Sequence, residues 1–424
     1  MIRLRLLLVV LLGVGAGLVL SLGLSGCGSG SERGERVMDL GDLGGYPRAV
    51  AVSDQGKVTL AAARAEGEIE VDDLQPDSWS WSEPEDMWSS VDVGDESDDI
   101  VAAYDGSGRL LVAWTDGTKV EGLLRAANGK WRKWQRARLI VQLPKKGVAA
   151  GLTLVGGKNG FALGWYDEVG NRNVSGFRIL RGNKWLPTTQ VGAEGSPVQV
   201  ELFDNRPSMA LWILPVEQKL MYASLLPNGK LGKPRVLADA NGFLATSFDS
   251  SQAIAAWDYK NETWATIWNG RGWIARKRLG KNASGYEGFS PIAAVISRGR
   301  AAVAWRTGYF QGGASYSFWQ DGRWKVGSGA TFPATGATGA GDLDALALPS
   351  GEIALLGMSS YTLIAEHSQL NGEERRKQFS IETGGLGTPA SASAGGTAVL
   401  VWEGSVQASL DTTEQHLFAW VYRP

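Results

Sequence analysis

Ile100-Val101-Ala102-Ala103-Tyr104 runs into Asp105-Gly106-Ser107-Gly108, and Arg109-Leu110-Leu111-Val112-Ala113-Trp114 follows. Two apolar runs around a Gly-rich tetrapeptide read as strand, turn, strand. The second run is not unique. Its five-residue ending, LLVAW, returns as FALGW at Trp165, SMALW at Trp212, AIAAW at Trp257, AAVAW at Trp305 and AVLVW at Trp402. Between Trp305 and Trp402 lie two periods, with Gly357 of EIALLG at the Trp position; one period before Trp114, Ala62 of KVTLAA holds it. The steps are 52, 51, 47, 45, 48, 52 and 45 residues, a mean near 49.

Working outward, a third apolar segment follows each Trp phrase, for example Ser315-Tyr316-Ser317-Phe318-Trp319. Next stands a tight-turn dipeptide: Asn128-Gly129, Asn228-Gly229, Asn269-Gly270, Asp321-Gly322 or Asn371-Gly372. Such pairs supply the positive φ angles of two-residue hairpins. A fourth segment, often opened by Trp (Trp131, Trp185, Trp273, Trp324), closes the unit. Four short antiparallel strands every 49 residues or so describe a blade of a β-propeller. Solenoid coils are shorter, and sandwich domains need about 90 residues. The expectation is an all-β, eight-bladed propeller over residues 36–424, or a seven-bladed one if a terminal copy is degenerate.

A four-stranded blade is apolar on both faces, so blades must stack. The second-strand tryptophans, Trp114, Trp165, Trp212, Trp257, Trp305 and Trp402, would fill the wedge between neighbours. The last copy runs out after its third strand, His416 to Tyr422, whereas Arg36-Val37-Met38-Asp39-Leu40 has no blade of its own. Pairing the two completes the ring and covers two open edges.

Arg3 and Arg5 precede an uncharged apolar stretch, Leu6 to Leu24, and Leu24-Ser25-Gly26-Cys27 closes it around the chain's one Cys. That ending resembles the bacterial lipoprotein signal. The resemblance implies cleavage before Cys27, a diacylglyceryl thioether on its sulfur and an acylated (palmitoyl-type) amino terminus. Residues 1–26 then read as signal peptide and 27–35 as lipidated Cys and polar tether, placing the chain outside the cytoplasm on a cell membrane. In a two-membrane bacterium Gly28 after the Cys resembles the pattern that permits outer-membrane sorting. An uncleaved spanning helix would also export the remainder.

Composition excludes several functions. With two His and one Cys in 424 residues, a disulfide framework or a cysteine-rich zinc site is ruled out, and a His-centred catalytic relay has little material. The balance of 42 basic to 44 acidic residues argues against nucleic-acid binding. No cofactor or metal is expected. The acidic run Asp95-Glu96-Ser97-Asp98-Asp99 lacks EF-hand spacing. The basic clusters Arg132-Lys133, Arg276-Lys277-Arg278 and Arg375-Arg376-Lys377 fall on fourth strands, where charge protects open edges.

If the first strand is innermost, loops leaving the second strand and loops between blades share one face. The first set carries Asp116, Tyr166, Asp167, Asp258, Tyr259, Arg306, Tyr309 and Tyr361, the candidate ligand-face residues. The second adds Asp95, Glu96, Asp98, Asp99, Glu194, Asp239, Glu287, Asp342 and Asp344. The sialidase box and the Gly-His…Trp-Asp pattern are absent from the sequence. The copies do resemble the degenerate V-A-x-D-x-x-G-x-x-x-V-A-W repeats of exported bacterial propellers, nearest at Ile100 to Trp114, a resemblance that implies fold more than activity. The leading expectation is a non-catalytic binding or scaffold module for a protein or glycan partner at the cell envelope. The competing one is a surface glycoside hydrolase or lyase using carboxylates such as Asp116, Asp167 and Asp258.

Overall fold

Every described element is a β-strand. The computed structural model describes residues 34–41, 45–64, 69–74, 85–86, 100–116, 118–129, 138–143, 147–169, 172–192, 198–202, 208–249, 251–282, 292–307, 314–326, 340–347, 353–359, 362–368, 378–382, 390–394, 396–407 and 413–423. The expected signal peptide, Cys27 and tether to residue 33 lie outside these. Glu35–Pro424 forms one compact unit.

The strands assemble into antiparallel sheets, seven of four strands and one of five. Numbered along the chain, sheets 1 to 7 span residues 45–86, 100–142, 147–192, 199–239, 244–281, 292–326 and 340–382. Sheet 8 takes 390–394, 397–407 and 413–423, and its outer strand is Gly34–Gly41, paired with Thr413–Arg423. Within sheets 1 to 7 the strands follow one another in chain order, as short hairpins dictate. The fold is propeller-like and all-β.

Sheet 2 shows the sequence logic. Ile100 pairs with Trp114 and Trp114 with Glu121, so the Trp phrase is the second strand. Asp105 closes the intervening turn: its Oδ1 accepts the N–H groups of Ser107 and Arg109, both at 3.0 Å. The second strand has strands on both sides and neighbouring sheets on both faces. Leu110 through Thr115 are accordingly all buried, and the usual inside-outside alternation of a strand is lost.

All six second-strand tryptophans lie on the expected strand and expose 3% or less of their surface. Two make the same hydrogen bond. Trp257 Nε1 donates to the carbonyl of Asp239 (2.9 Å), and Trp305 Nε1 to that of Lys281 (3.0 Å). Each acceptor ends the fourth strand of the preceding sheet. Gly280 gives the second indole room, since a Cβ there would lie 2.7 Å from Trp305. Burying about 200 Å² of indole at roughly 25 cal/mol/Å² sets an upper bound near 5 kcal/mol per wedge.

The apolar clusters sit between sheets. One joins Ile254, Ile267 and Leu279 of sheet 5 to Ile292, Val303 and Trp305 of sheet 6. Others link sheets 1 and 2, 2 and 3, 3 and 4, and 4 and 5. One joins Val50, Val58 and Leu60 of sheet 1 to Val399, Val401 and Val421 of sheet 8, with Met38 and Leu40 of the N-terminal strand against it. First strands of successive sheets touch in turn through to sheet 8, whose first strand, Ala390–Ala394, touches the first strand of sheet 1.

Sheet 3 departs from the expected single fourth strand. Lys184–Trp185 and Thr189–Gly192 pair separately with Arg172–Arg181, because Pro187 between them has no N–H to offer the ladder.

Candidate functional site

Second strands of all sheets end on the same side as the links between sheets, and the candidate residues follow from that. Asp116 ends Leu110–Asp116, Asp258 and Tyr259 end Ala253–Tyr259, and Arg306 ends Arg300–Arg306. Tyr166 and Asp167 lie inside Gly160–Val169, which continues past its Trp as strand. Tyr309 and Tyr361 lie outside the described residues, as do Asp95, Glu96, Asp98, Asp99, Glu194 and Glu287. Asp342 and Asp344 fall within the strand Ala340–Ala347 instead of the loop before it.

The junction of sheets 4 and 5 is the best-defined part of this side. Residues 239–243 cross from one sheet to the next, and both neighbours hold them. Ala240 N–H donates to the carbonyl of Gln218 (3.0 Å), and Asn241 N–H to that of Asp258 (3.0 Å). Asp258 exposes only 2% of its surface, and its Oδ1 accepts the N–H of Phe243 at 2.7 Å. Burial raises the carboxyl's pKa, and the Phe243 N–H offsets part of that rise. This carboxylate fastens a crossing segment.

Around that buried clasp the exposed surface is mixed. Lys260 Nζ sits 5.0 Å from the ring centroid of half-buried Tyr259, a cation–π contact. Lys219 and Asp239 form an ion pair that raises the pKa of the lysine and lowers that of the aspartate through the hydrogen bond between them. Val216 is 72% exposed in the turn beside them. Lys260 and Asn261 both have positive φ, 52° and 60°, and make a two-residue hairpin loop between Tyr259 and its partner Glu262. Only Asn261 announced that turn, because lysine seldom adopts this conformation. Arg306, the counterpart one sheet on, is buried (6%). Among the described residues no group of three or more His, Cys, Asp or Glu could hold a metal ion.

At the opposite end of the sheets lies a polar cluster that motif reasoning missed. Arg125 reaches from sheet 2 into sheet 1, where its Nη1 and Nη2 donate to the two oxygens of Asp73 at 2.9 and 2.8 Å. Nη2 also donates to Thr59 Oγ1 (2.9 Å) and Tyr104 Oη (2.7 Å), and Lys57 Nζ lies 2.6 Å from Asp73. Burial alone would push the Asp73 carboxyl up. The hydrogen bonds from Arg125, Lys57 and Thr59 outweigh it and hold the pKa below the ordinary value. Arg125 and Asp73 are 52 positions apart and belong to no motif, so only the fold brings them together. Each donor has an internal acceptor, and the cluster acts as an inter-sheet tie.

With this geometry in view, the known proteins can be compared. No protein-family model and no curated protein matches the sequence. Solved structures do match in fold. The Dos1 propeller is 10% identical over 91% of this chain and 94% of its own, with a TM-score of 0.55. A prolyl endopeptidase is 13% identical over 77% of this chain and 50% of its own length, TM-score 0.47. The fucose-specific lectin from Aleuria aurantia is 10% identical over 68% of this chain and 96% of its own, TM-score 0.39. At 10% identity the likeness to the Dos1 propeller speaks to the fold alone.

Proposed function

We propose that this chain is a lipid-anchored, extracytoplasmic eight-bladed propeller that serves as a non-catalytic binding module for a protein or glycan partner. Eight sheets whose first strands touch in sequence, with sheet 8 packed on sheet 1, support the eight-bladed ring closed by Gly34–Gly41. The observation that carries the binding role is Asp258. Of the three carboxylates marked for chemistry, it is the one whose side chain is described. It is buried and hydrogen-bonded to backbone, where it cannot meet a substrate. The groups beside it, exposed Lys260 and Val216 and half-buried Tyr259, are of the kind that recognise partners without transforming them. The anchor rests on Cys27 and the apolar stretch before it.

The test is a glycan and envelope-protein binding screen with the native chain and a Y259A/K260A variant. Retention that the variant loses, with bound glycan recovered intact, is the expected result. Cleaved glycan in the eluate would replace this reading with the hydrolase one. Intact-mass analysis of membrane-extracted protein tests the anchor: Cys27 should be the amino terminus and carry acyl mass that C27A lacks.

A further inference from the structure

Edge protection accounts for a few charges on an outer strand. It does not account for the walls of sheets 4, 5 and 6. Residues 228–239, 269–282 and 321–326 form the outer strands of these sheets and the turns leading into them. They hold ten Lys and Arg against two acidic residues, Asp239 at the end of the sheet 4 strand and Asp321 in the turn before the sheet 6 strand. All ten are exposed. Outside these segments 32 basic residues stand against 42 acidic ones, so this wall is a positive region of an otherwise acidic protein.

The three outer strands make one surface. Arg276 Nη1 donates to the carbonyl of Leu237 (3.4 Å), joining sheet 5 to sheet 4. Trp324 Nε1 donates to the carbonyl of Ala275 (2.8 Å), joining sheet 6 to sheet 5. Three carboxylates stand at the wall: Asp239, which pairs with Lys219, Asp321 in the sheet 6 turn, and Glu262, which reaches Arg278 at 3.1 Å. Val236 (57% exposed) and Ile274 (39%) stand among the cations as apolar contacts. A surface arranged only to repel other edges would gain nothing from exposing these two.

We infer that this wall binds an anionic polysaccharide, a flexible chain bearing carboxylate or phosphate groups, lying across the outer strands of sheets 4 to 6. The inference rests on the eight-bladed reading, and its site is separate from the loop face. In a ring of eight, successive outer edges turn by about 45°, so three edges sweep about a quarter circle. A flat bilayer meets one such edge at a time. Duplex nucleic acid, stiff over about 150 base pairs, does not follow the curve either. Single-stranded nucleic acid takes stacking platforms, and the outer-strand aromatics are engaged within the protein: Trp324 is 9% exposed and packs 5.6 Å from Trp319. A flexible polyanion can follow all three edges, with its sugar faces on Val236 and Ile274.

The test measures binding of the full-length protein, in detergent at 0.15 M salt, to polygalacturonate. R235Q/K277Q/R323Q removes one exposed cation from each outer strand, and K158Q/K184Q/R298Q removes three exposed cations elsewhere. We expect the wall variant to bind about tenfold more weakly, the matched variant to bind like the native chain, and 0.5 M salt to abolish the difference. Equal weakening by both variants would reduce the effect to net charge and overturn the site. So would no binding at all, or tighter binding to duplex DNA or phosphatidylglycerol vesicles at the same salt. Y259A/K260A separates the two faces, because failure of the loop-face reading leaves polygalacturonate binding untouched.

Discussion

Trp305 of sheet 6 donates its indole N–H to the backbone carbonyl of Lys281, the last residue of the outer strand of sheet 5, at 3.0 Å. Trp257 repeats the bond one sheet earlier, on Asp239. The repeated residue therefore wedges apart and ties together two neighbouring sheets at once. Among the described residues the device is not uniform, since the buried Nε1 atoms of Trp114, Trp212 and Trp402 have no hydrogen-bond partner there.

Replacing Trp257 by Ala should cost about 3–5 kcal/mol of unfolding free energy. Replacing it by Phe keeps most of the apolar volume but leaves the Asp239 carbonyl without its donor. W257F should therefore cost about 1 kcal/mol more than W212F, whose indole N–H has no partner among the described residues. Urea titrations followed by circular dichroism would show it. Equal costs for the two Phe variants would remove the hydrogen bond from the account.

Arg125→Met should destabilise by roughly 2–3 kcal/mol at pH 7, because it leaves the Asp73 carboxylate half-buried beside Tyr104 with Lys57 and Thr59 as its remaining partners. The pH dependence has a definite sign. Asp73 is held below its ordinary value in the folded chain. Its contribution is therefore complete above a pH of about 4, the unfolded value, and is lost as pH falls through the folded one. The gap between native and R125M chains should narrow on acidification below pH 4, as read by melting temperature in a pH series.

Glu201 makes the opposite case. It is 2% exposed, Thr246 is its partner, and its Oε2 has none among the described residues. Burial pushes its carboxyl up to about 7, so the folded chain holds a proton that the unfolded chain releases above a pH of about 4.3. Stability should fall as pH rises from there to 7 and stay reduced beyond it. Glu201→Gln removes the titration. It should match the native chain near pH 4 and exceed it at pH 8 by up to about 3 kcal/mol. Parallel stability curves for the two proteins across that range would contradict this.

Removing residues 416–424 should unfold the whole domain, since Leu417, Ala419 and Val421 pack between sheet 8 and sheet 1. Met38→Asp is the milder probe, charging the N-terminal strand where it covers the same cluster. Retained cooperative unfolding in the truncated chain would show that the two sheets do not depend on each other.

The fold was legible because its signals repeat. A Trp phrase every 49 residues, Asn-Gly and Asp-Gly turns, and an unpaired strand at each end of the chain marked out the sheets and the meeting of the termini. The same periodicity assigned each candidate to the end of a second strand but said nothing of its depth. Asp258 reads as an accessible carboxylate in sequence and is buried in the structure, because the crossing segment at Phe243 folds over it. Arg125 and Asp73 belong to no motif, and Tyr104 ends a first-strand segment without marking a contact. Their partnership comes from the packing of sheet 2 on sheet 1, which depends on side-chain reach across a junction and leaves no local trace. Split outer strands as at Pro187 also escape a pattern search, since one missing N–H does not change the hydrophobic periodicity.

The first described strand, Gly34–Gly41, finds its hydrogen-bonding partner in the last, Thr413–Arg423, and Asp39 meets His416 across that seam, with His416 Nδ1 2.9 Å from the carboxylate. A chain emerging amino end first thus presents an edge whose complement arrives some 370 residues later. The intermediate sheets can form as they appear, but sheet 8 and its packing on sheet 1 wait for the final strand. A stop before residue 413 would leave Gly34–Gly41 without its partner strand, and sheet 1 without the packing of Leu417, Ala419 and Val421.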